Sequence, residues 1–294
     1  MRVHVTGGSG FLGGSVIPRL IGAGHVVTAL ARTPVAARLV EKLGAEPAEG
    51  DLDHPASLAV AFGHRRPAVL VNLASLGFGH APAVVAAAKD AGLTRAVFVS
   101  TTAIFTTLNA ASKAMRTAAE ESIMASDLAW TIIRPTMIYG GAGDRNMARL
   151  LRLIQRSPVV PLPGGGAGLQ QPVHVEDLAD AIVACLDAEA SIGQAYDVAG
   201  PEPLSLRQVV QEAGRPTGRH PFLLPVPLGP AVAAARVYER TSSRPRLKAE
   251  QLERLGEDKA FDIGPARRDL AYRPRSFREG IAQEWEAIQR EPTI

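Results

Sequence analysis

The sequence predicts an α/β chain built on a doubly wound parallel sheet, with a smaller C-terminal lobe assembled from separate stretches. Three observations carry that expectation. Short apolar runs alternate with helical patterns through Ile133, the first run enters a glycine-rich turn, and from Pro135 the texture changes to Gly and Pro punctuation. Val3–Thr6 reads as a strand, Leu12–Ile21 as a helix and Val26–Leu30 as a second strand, followed by helix Val35–Leu43 and strand Pro47–Asp51. The alternation continues with strand Val69–Leu73, helix Pro82–Ala91, strand Ala96–Ser100, helix Ala110–Ser126 and strand Ala129–Ile133. Strands joined through helices need crossover connections, which make the sheet parallel and cover both its faces. One more helix follows Val173 and one more strand spans Gln194–Val198; from Pro201 the chain is Pro-rich, with short helices and little strand pattern.

The turn after the first strand, Thr6-Gly7-Gly8-Ser9-Gly10-Phe11-Leu12-Gly13, fits GxxGxxG through Gly7, Gly10 and Gly13 and GxGxxG through Gly8, Gly10 and Gly13. Gly7 suits a tight turn, Gly10 admits a pyrophosphate close to the main chain, and Gly13 lets helix pack on strand. The helix behind them presents N–H groups and a dipole that favour an anion. Strand, turn, helix and second strand complete a βαβ unit, the context in which this glycine pattern marks a dinucleotide site. At the end of the second strand stand Ala31 and Arg32, where an acidic residue would bind the ribose of NAD. Arg32 there favours a 2′-phosphate, hence NADP(H), with NAD(H) as the alternative. Asp51, followed by Leu52, closes the third strand, where a carboxylate can meet the adenine amino group.

Composition narrows the classes. The chain has 294 residues, is 46% hydrophobic and carries a net charge of +3, with only five Lys among its 32 basic residues. Its arginines are spread among acidic residues, which argues for a solvated surface over a nucleic-acid partner. The single cysteine, Cys185, excludes an internal disulfide and a multi-cysteine metal site, and the histidines form no ligand pair, so no metal is expected. No apolar run approaches a membrane span and the N-terminus goes directly into a strand, so a soluble, cytoplasmic protein without a membrane partner is expected.

Further motifs accumulate along the chain: Val71-Asn72-Leu73-Ala74, Phe98-Val99-Ser100-Thr101, Ser112-Lys113, Ile133-Arg134-Pro135, Val173-His174-Val175-Glu176-Asp177-Leu178 and, near the end, Ala266-Arg267-Arg268-Asp269-Leu270-Ala271-Tyr272-Arg273-Pro274. With TGGSGFLG they resemble the extended and atypical short-chain dehydrogenase/reductase superfamily, and more narrowly its NAD-dependent epimerase/dehydratase branch, over nearly the whole length. The resemblance implies a Rossmann-type core at residues 1–135 and 172–200 and a substrate lobe at 136–171 and 201–294. It implies cofactor contacts from the Gly7–Gly13 turn (Gly7, Gly8, Ser9, Gly10, Phe11, Leu12, Gly13) and from Arg32, Asp51 and Leu52. It extends those contacts to Leu73, Ala74, Ser75, Lys113, Arg134 and Pro135.

The same resemblance implies a catalytic Ser/Thr, Tyr and Lys, the last two spaced YxxxK. Residues four apart share a helical face, so the Lys can lower the phenol's pKa and make it an acid/base. Thr101 matches the hydroxyl position and Lys113 the lysine, but Asn109 stands where the tyrosine belongs. An amide can donate a hydrogen bond to a carbonyl yet cannot take a proton from an alcohol. Thr102 and Ala103 also lack the acidic pair of the branch's sugar-nucleotide dehydratases, which disfavours dehydration. Tyr139, after the sixth strand, is a candidate acid and substrate contact at the rim of the nicotinamide pocket, and His174 a candidate substrate ligand facing the same cleft. Only Ser75–Ala81 lie between the fourth strand and its helix, where epimerases of this branch carry a longer excursion with an NxxGT motif.

The sequence therefore supports an NAD(P)(H)-dependent oxidoreductase or epimerase-like enzyme for a small hydroxy or keto metabolite, sugar-derived molecules included, with a non-standard proton relay. The alternative is a catalytically silent NADP(H)-binding sensor or accessory subunit. Helix Ala110–Ser126 is a candidate face for a homodimer.

Overall fold

The computed structural model describes residues 1–108, 111–141, 143–242 and 249–290. Its first half alternates β1 (Arg2–Thr6), α1 (Gly13–Gly22), β2 (Val26–Ala31), α2 (Pro34–Lys42), β3 (Glu46–Glu49) and α3 (Pro55–Gly63). It continues through β4 (Val69–Asn72), α4 (Ala81–Asp90), β5 (Arg95–Val99), α5 (Ala111–Met124) and β6 (Ala129–Pro135). An excursion follows: β7 (Ile138–Tyr139), α6 (Met147–Arg156), β8 (Val159–Pro163), β9 (Leu169–Gln170) and β10 (Val173–His174). The chain then returns through α7 (Val175–Asp187) and β11 (Gln194–Val198). It ends with β12 (Leu204–Ser205), α8 (Leu206–Gly214), β13 (Phe222–Val226), α9 (Leu228–Thr241), α10 (Ala249–Leu255), α11 (Gly264–Asp269) and α12 (Phe277–Arg290).

The central sheet has seven strands in the order β11-β6-β5-β4-β1-β2-β3, all parallel. Its order reverses between β1 and β4, and a crevice opens at such a switch point beyond the carboxyl ends of the strands. The inner strands β1, β2, β4 and β5 are buried on both faces, which explains their apolar runs. α1 presents Val16, Ile17 and Leu20 inward, one helical turn of spacing, and packs with α7 on one face of the sheet. Phe62, Leu58 and the Ala-rich face of α4 form the core on the other face.

A separate core of Met147, Leu151, Val160, Leu162, Val210 and Ile281 unites the excursion with the C-terminal helices. Three two-stranded ribbons stiffen this lobe: β7 with β10, β8 with β13 (both parallel) and β9 with β12 (antiparallel). The helix pattern of α3 and the strand β13 depart from the sequence reading. α3 carries apolar residues on every side, so it shows no face by periodicity, and β13 pairs with another proline-containing strand, an arrangement that a two-stranded edge tolerates.

Candidate cofactor and substrate site

The Gly7–Gly13 turn sits at the carboxyl end of β1, beside the switch point. Gly7 has φ of 70° and a Cβ there would lie 2.8 Å from the Ala74 backbone nitrogen, on β4's side of the crevice. A Cβ on Gly13 would collide with the Gly8 carbonyl, so the first turn of α1 lies directly on the loop. No side chain caps α1. The positive end of its dipole is left facing the crevice, which suits a pyrophosphate.

A cavity of about 770 Å³ continues from this turn toward β2 and β3. Gly7, Ser9, Arg32, Asp51, Leu52, Ala74 and Ser75 line it, together with Thr33, Asp53, Phe78 and His80, which the sequence reading did not single out. Arg32 is 64% exposed and reaches Asp53 at 3.5 Å and Asp51 at 3.9 Å. Asp51 is held below the usual carboxylate range, chiefly by the Asp53 N–H it accepts at 3.1 Å, with help from Arg32 and His54. The residue pattern fits a nucleoside: two apolar walls from Val35 and Leu39 on α2, and polar groups at the strand ends.

A second cavity of about 700 Å³ lies between the end of β5 and the lobe. Thr101 and Thr102 form its floor, Met137, Phe105 and Phe261 its apolar walls, and Gln170, Arg254, Glu257, Asp258 and Lys259 its polar rim. Thr101 Oγ1 accepts from the Ala103 N–H at 3.2 Å, which leaves the hydroxyl proton free to donate. Lys113 Nζ donates to the Thr106 carbonyl at 2.6 Å. Glu257 accepts at 2.7 Å from Thr106 Oγ1, the Thr107 N–H and Thr107 Oγ1, and so ties the segment after β5 to the lobe. Asn109 lies outside the described residues.

Several expected contacts fall elsewhere. Gly8, Gly10, Leu12, Gly13 and Leu73 shape the turn and crevice without lining the first cavity, and Phe11 faces another cleft with His174 and Gly143. Arg134 is engaged by Glu120 at 2.6 Å and stacks over Phe105, while Pro135 is buried at the strand end. Tyr139 does not stand at the rim of the second cavity. It is 1% exposed in the lobe core, edge-on to His174 and against Phe277, with Gly280 pressed on its hydroxyl. Burial, followed by the charge of Asp177, pushes its phenol up from the ordinary value, the wrong direction for a proton donor at neutral pH.

His174 is likewise committed to the fold: Nδ1 accepts the Glu176 N–H at 3.3 Å as the N-cap of α7. Burial, then the charge of Arg275, lowers it to about 4, so its ring stays neutral. The rim residues Gln170, Arg254, Glu257 and Lys259 escaped the sequence reading because they come from β9 and from the segment around α10, which carry no motif. The one available signal was the charged run Glu257-Asp258-Lys259 in an otherwise Pro-rich stretch. Among the described residues no group of three or more His, Cys, Asp or Glu is gathered to hold a metal, and no helix is long and apolar enough to cross a membrane.

Comparison with known proteins agrees with this geometry. A family model described as NAD(P)H-binding matches residues 7–189. The chain is similar to the 4-hydroxy-2-methyl-3-oxo-4-farnesyl-3,4-dihydroquinoline-1-oxide ketoreductase of Stigmatella aurantiaca, 27% identical over 94% of this chain and 92% of the relative. It is also similar to the 2-alkyl-3-oxoalkanoate reductase of Stenotrophomonas maltophilia, 26% identical over 96% of this chain and 97% of the relative. The solved structure of Thermus thermophilus UDP-glucose 4-epimerase with NAD superposes with a TM-score of 0.74 at 20% identity, covering 98% of this chain and 99% of that one, a likeness of fold. The chain belongs to the NAD(P)H-binding family, and its fold is that of the solved epimerase.

Proposed function

We propose that this protein is an NADPH-dependent reductase of a small ketone, which binds the adenosine half of its cofactor in the Arg32 cavity and its substrate in the cavity floored by Thr101. The observation that carries the reading is the juxtaposition of a glycine cradle with a second, mixed polar and apolar cavity at the same sheet end. When bound, the nicotinamide supplies a hydride to the carbonyl carbon. Thr101 donates its hydroxyl proton toward the carbonyl oxygen and stabilises the charge that develops there. That proton is replenished from solvent, since a neutral amide at position 109 cannot relay one. Lys113 holds the segment after β5 through the Thr106 carbonyl and stands ready to exchange that contact for the cofactor's ribose hydroxyls.

Arg32 supports the choice of NADPH. It is largely exposed in its pair with Asp53, and it stands beside the N-terminus of α2, where Thr33 caps the helix by accepting the Ala36 N–H at 3.2 Å. A 2′-phosphate there would meet a guanidinium and a helix dipole together. The two relatives matched over almost their full lengths are named for the reduction of carbonyl compounds, and this favours reduction over epimerisation.

The test is consumption of NADPH against a panel of ketones. Thr101→Ala should lower kcat on the order of a hundredfold, and Asn109→Tyr should raise it by supplying a titratable donor. Tight NADPH binding with no turnover across the panel, in wild type and Asn109→Tyr alike, would reject the reductase reading in favour of a silent sensor.

A further inference from the structure

Lys259 is held in place twice over: its backbone N–H donates to the Leu169 carbonyl at 2.9 Å, and Asp258 Oδ1 beside it accepts the Leu169 N–H at 2.9 Å. Its ammonium, however, has only neutral partners, the Arg254 carbonyl at 2.5 Å and Gln170 Oε1 at 3.3 Å. No carboxylate lies within ion-pair distance of it among the described residues. An ammonium has three protons to donate, so one remains unspent.

Two further donors beside it are in the same condition. Gln170 is only 3% exposed, and because its Oε1 faces Lys259 its Nε2 points away, buried and without a partner. Arg254 Nε is also buried and unpartnered, although its NH2 group pairs with Glu250 at 2.7 Å. Leaving a buried polar hydrogen unmatched is costly, and two such donors beside the unspent proton of Lys259, on residues that line one cavity, point to a ligand that matches them. Both oxygens of Glu257 are engaged by Thr106 and Thr107, and Oδ1 of Asp258 by Leu169. Two of the three spare donors at this end, those of Lys259 and Arg254, sit on cationic groups.

We propose that Lys259, Arg254 and Gln170 hold the carboxylate of an oxo-acid substrate, whose carbonyl is directed to Thr101 across the apolar walls of Phe105, Met137 and Phe261. The assignment rests on the reductase reading of the same cavity and adds the substrate class. Three N–H donors, two of them on cationic groups, suit the two oxygens of a carboxylate. Burial lowers the Lys259 ammonium from its ordinary value, while the Glu257 carboxylate works in the other direction.

The experiment pairs an acid with its ester. Calorimetry of 3-hydroxyoctanoate and its methyl ester on the NADP-saturated protein reads binding without turnover, and initial rates on 3-oxooctanoate and its methyl ester with NADPH read turnover. Wild type is expected to bind the acid about tenfold or more tighter than the ester. In Lys259→Met that ratio should fall toward one, Lys259→Arg should restore most of it, and Gln170→Leu should narrow it. Melting curves establish that each variant is folded, and if Lys259→Met does not fold, the Arg and Leu variants carry the comparison. Equal affinity for acid and ester in wild type, no binding of either, or a ratio that Lys259→Met leaves unchanged overturns the assignment. Reduction of acid and ester alike would overturn it while sustaining the reductase reading; a strong preference for the acid without NADPH oxidation would sustain it and reject that reading.

Discussion

Glu284 lies on the inner face of α12 with no exposed surface, and its Oε2 accepts the Gly140 N–H at 3.0 Å. Burial, followed by the negative charge of Asp144 beside it, raises its carboxyl to about 8. The unfolded chain releases this proton in the ordinary carboxylate range, near pH 4, whereas the folded chain retains it until about 8. Stability is therefore highest on the acid side, falls as pH rises across that window and has lost the whole contribution above it. Each pKa unit corresponds to about 1.4 kcal/mol, so the slope is large enough to read in melting temperatures. Glu284→Gln keeps a neutral group in place and should flatten the decline, making the variant more stable than wild type above about pH 8. Melting profiles that run parallel from acid to alkaline pH would contradict this account. The neighbouring Tyr139 and His174 mark a limit of sequence reading at the same scale. A tyrosine after a strand looks the same whether it meets a cleft or a core, and what decides here is α12, which brings Phe277 and Gly280 onto it from far along the chain.

The segment after β5 gives the corresponding lesson for elements. Thr101 was legible from its motif, but its conformation depends on Glu257, whose carboxylate gathers Thr106 and Thr107 from a part of the chain without one. Burial opposes the charge on Glu257, yet those hydrogen bonds and the Lys259 ammonium together hold it below the usual range. Phe105 adds a ring contact to Phe261 at 5.9 Å, so the same two segments meet through both polar and apolar groups. Glu257→Ala should cost about 1 kcal/mol, chiefly through the part-buried Thr106 hydroxyl, since the exposed Thr107 donors turn to water. It should also lower kcat, because Thr101 loses the anchor of its own segment, with the dissociation constant for NADPH changed little, since the adenosine cavity is built from other elements. Denaturation midpoints, single-turnover rates and cofactor titration separate the three effects, and an unaltered kcat would refute the coupling. Elements with one strong period or one glycine motif, β1 to β6 with α1, α2 and α4, could be read from the sequence. α3, β8 and β13 could not, because a helix apolar all round and strands containing proline carry no distinguishing period.

Taken whole, the molecule places one cavity across the switch point between β1 and β4 and the other beyond the end of β5, so a dinucleotide spanning the crevice would touch both the sheet and the lobe. A ligand that binds only the folded state stabilises it in proportion to the logarithm of its concentration, about 2.7 kcal/mol at a hundredfold excess over the dissociation constant. For a chain of this size each kcal/mol moves the melting temperature by roughly 2–4 °C, so saturating NADPH should raise it by about 5–10 °C. The ordering of cofactors follows from charge. NADPH carries a 2′-phosphate to Arg32, but that guanidinium must first give up Asp53, an exposed pair that is weak because solvent screens it. The exchange therefore favours the phosphate, and at equal concentration NADPH should stabilise the protein more than NADH. Arg32→Ala removes the cation and leaves Asp51 and Asp53 facing the phosphate, so the NADPH shift should shrink to the NADH shift or below it, while the NADH shift holds. Scanning fluorimetry with both cofactors on both proteins decides the matter: an NADH shift larger than that of NADPH in wild type, or an NADPH shift untouched by Arg32→Ala, would mean that Asp51 and Asp53 set the preference and that Arg32 serves only to neutralise them.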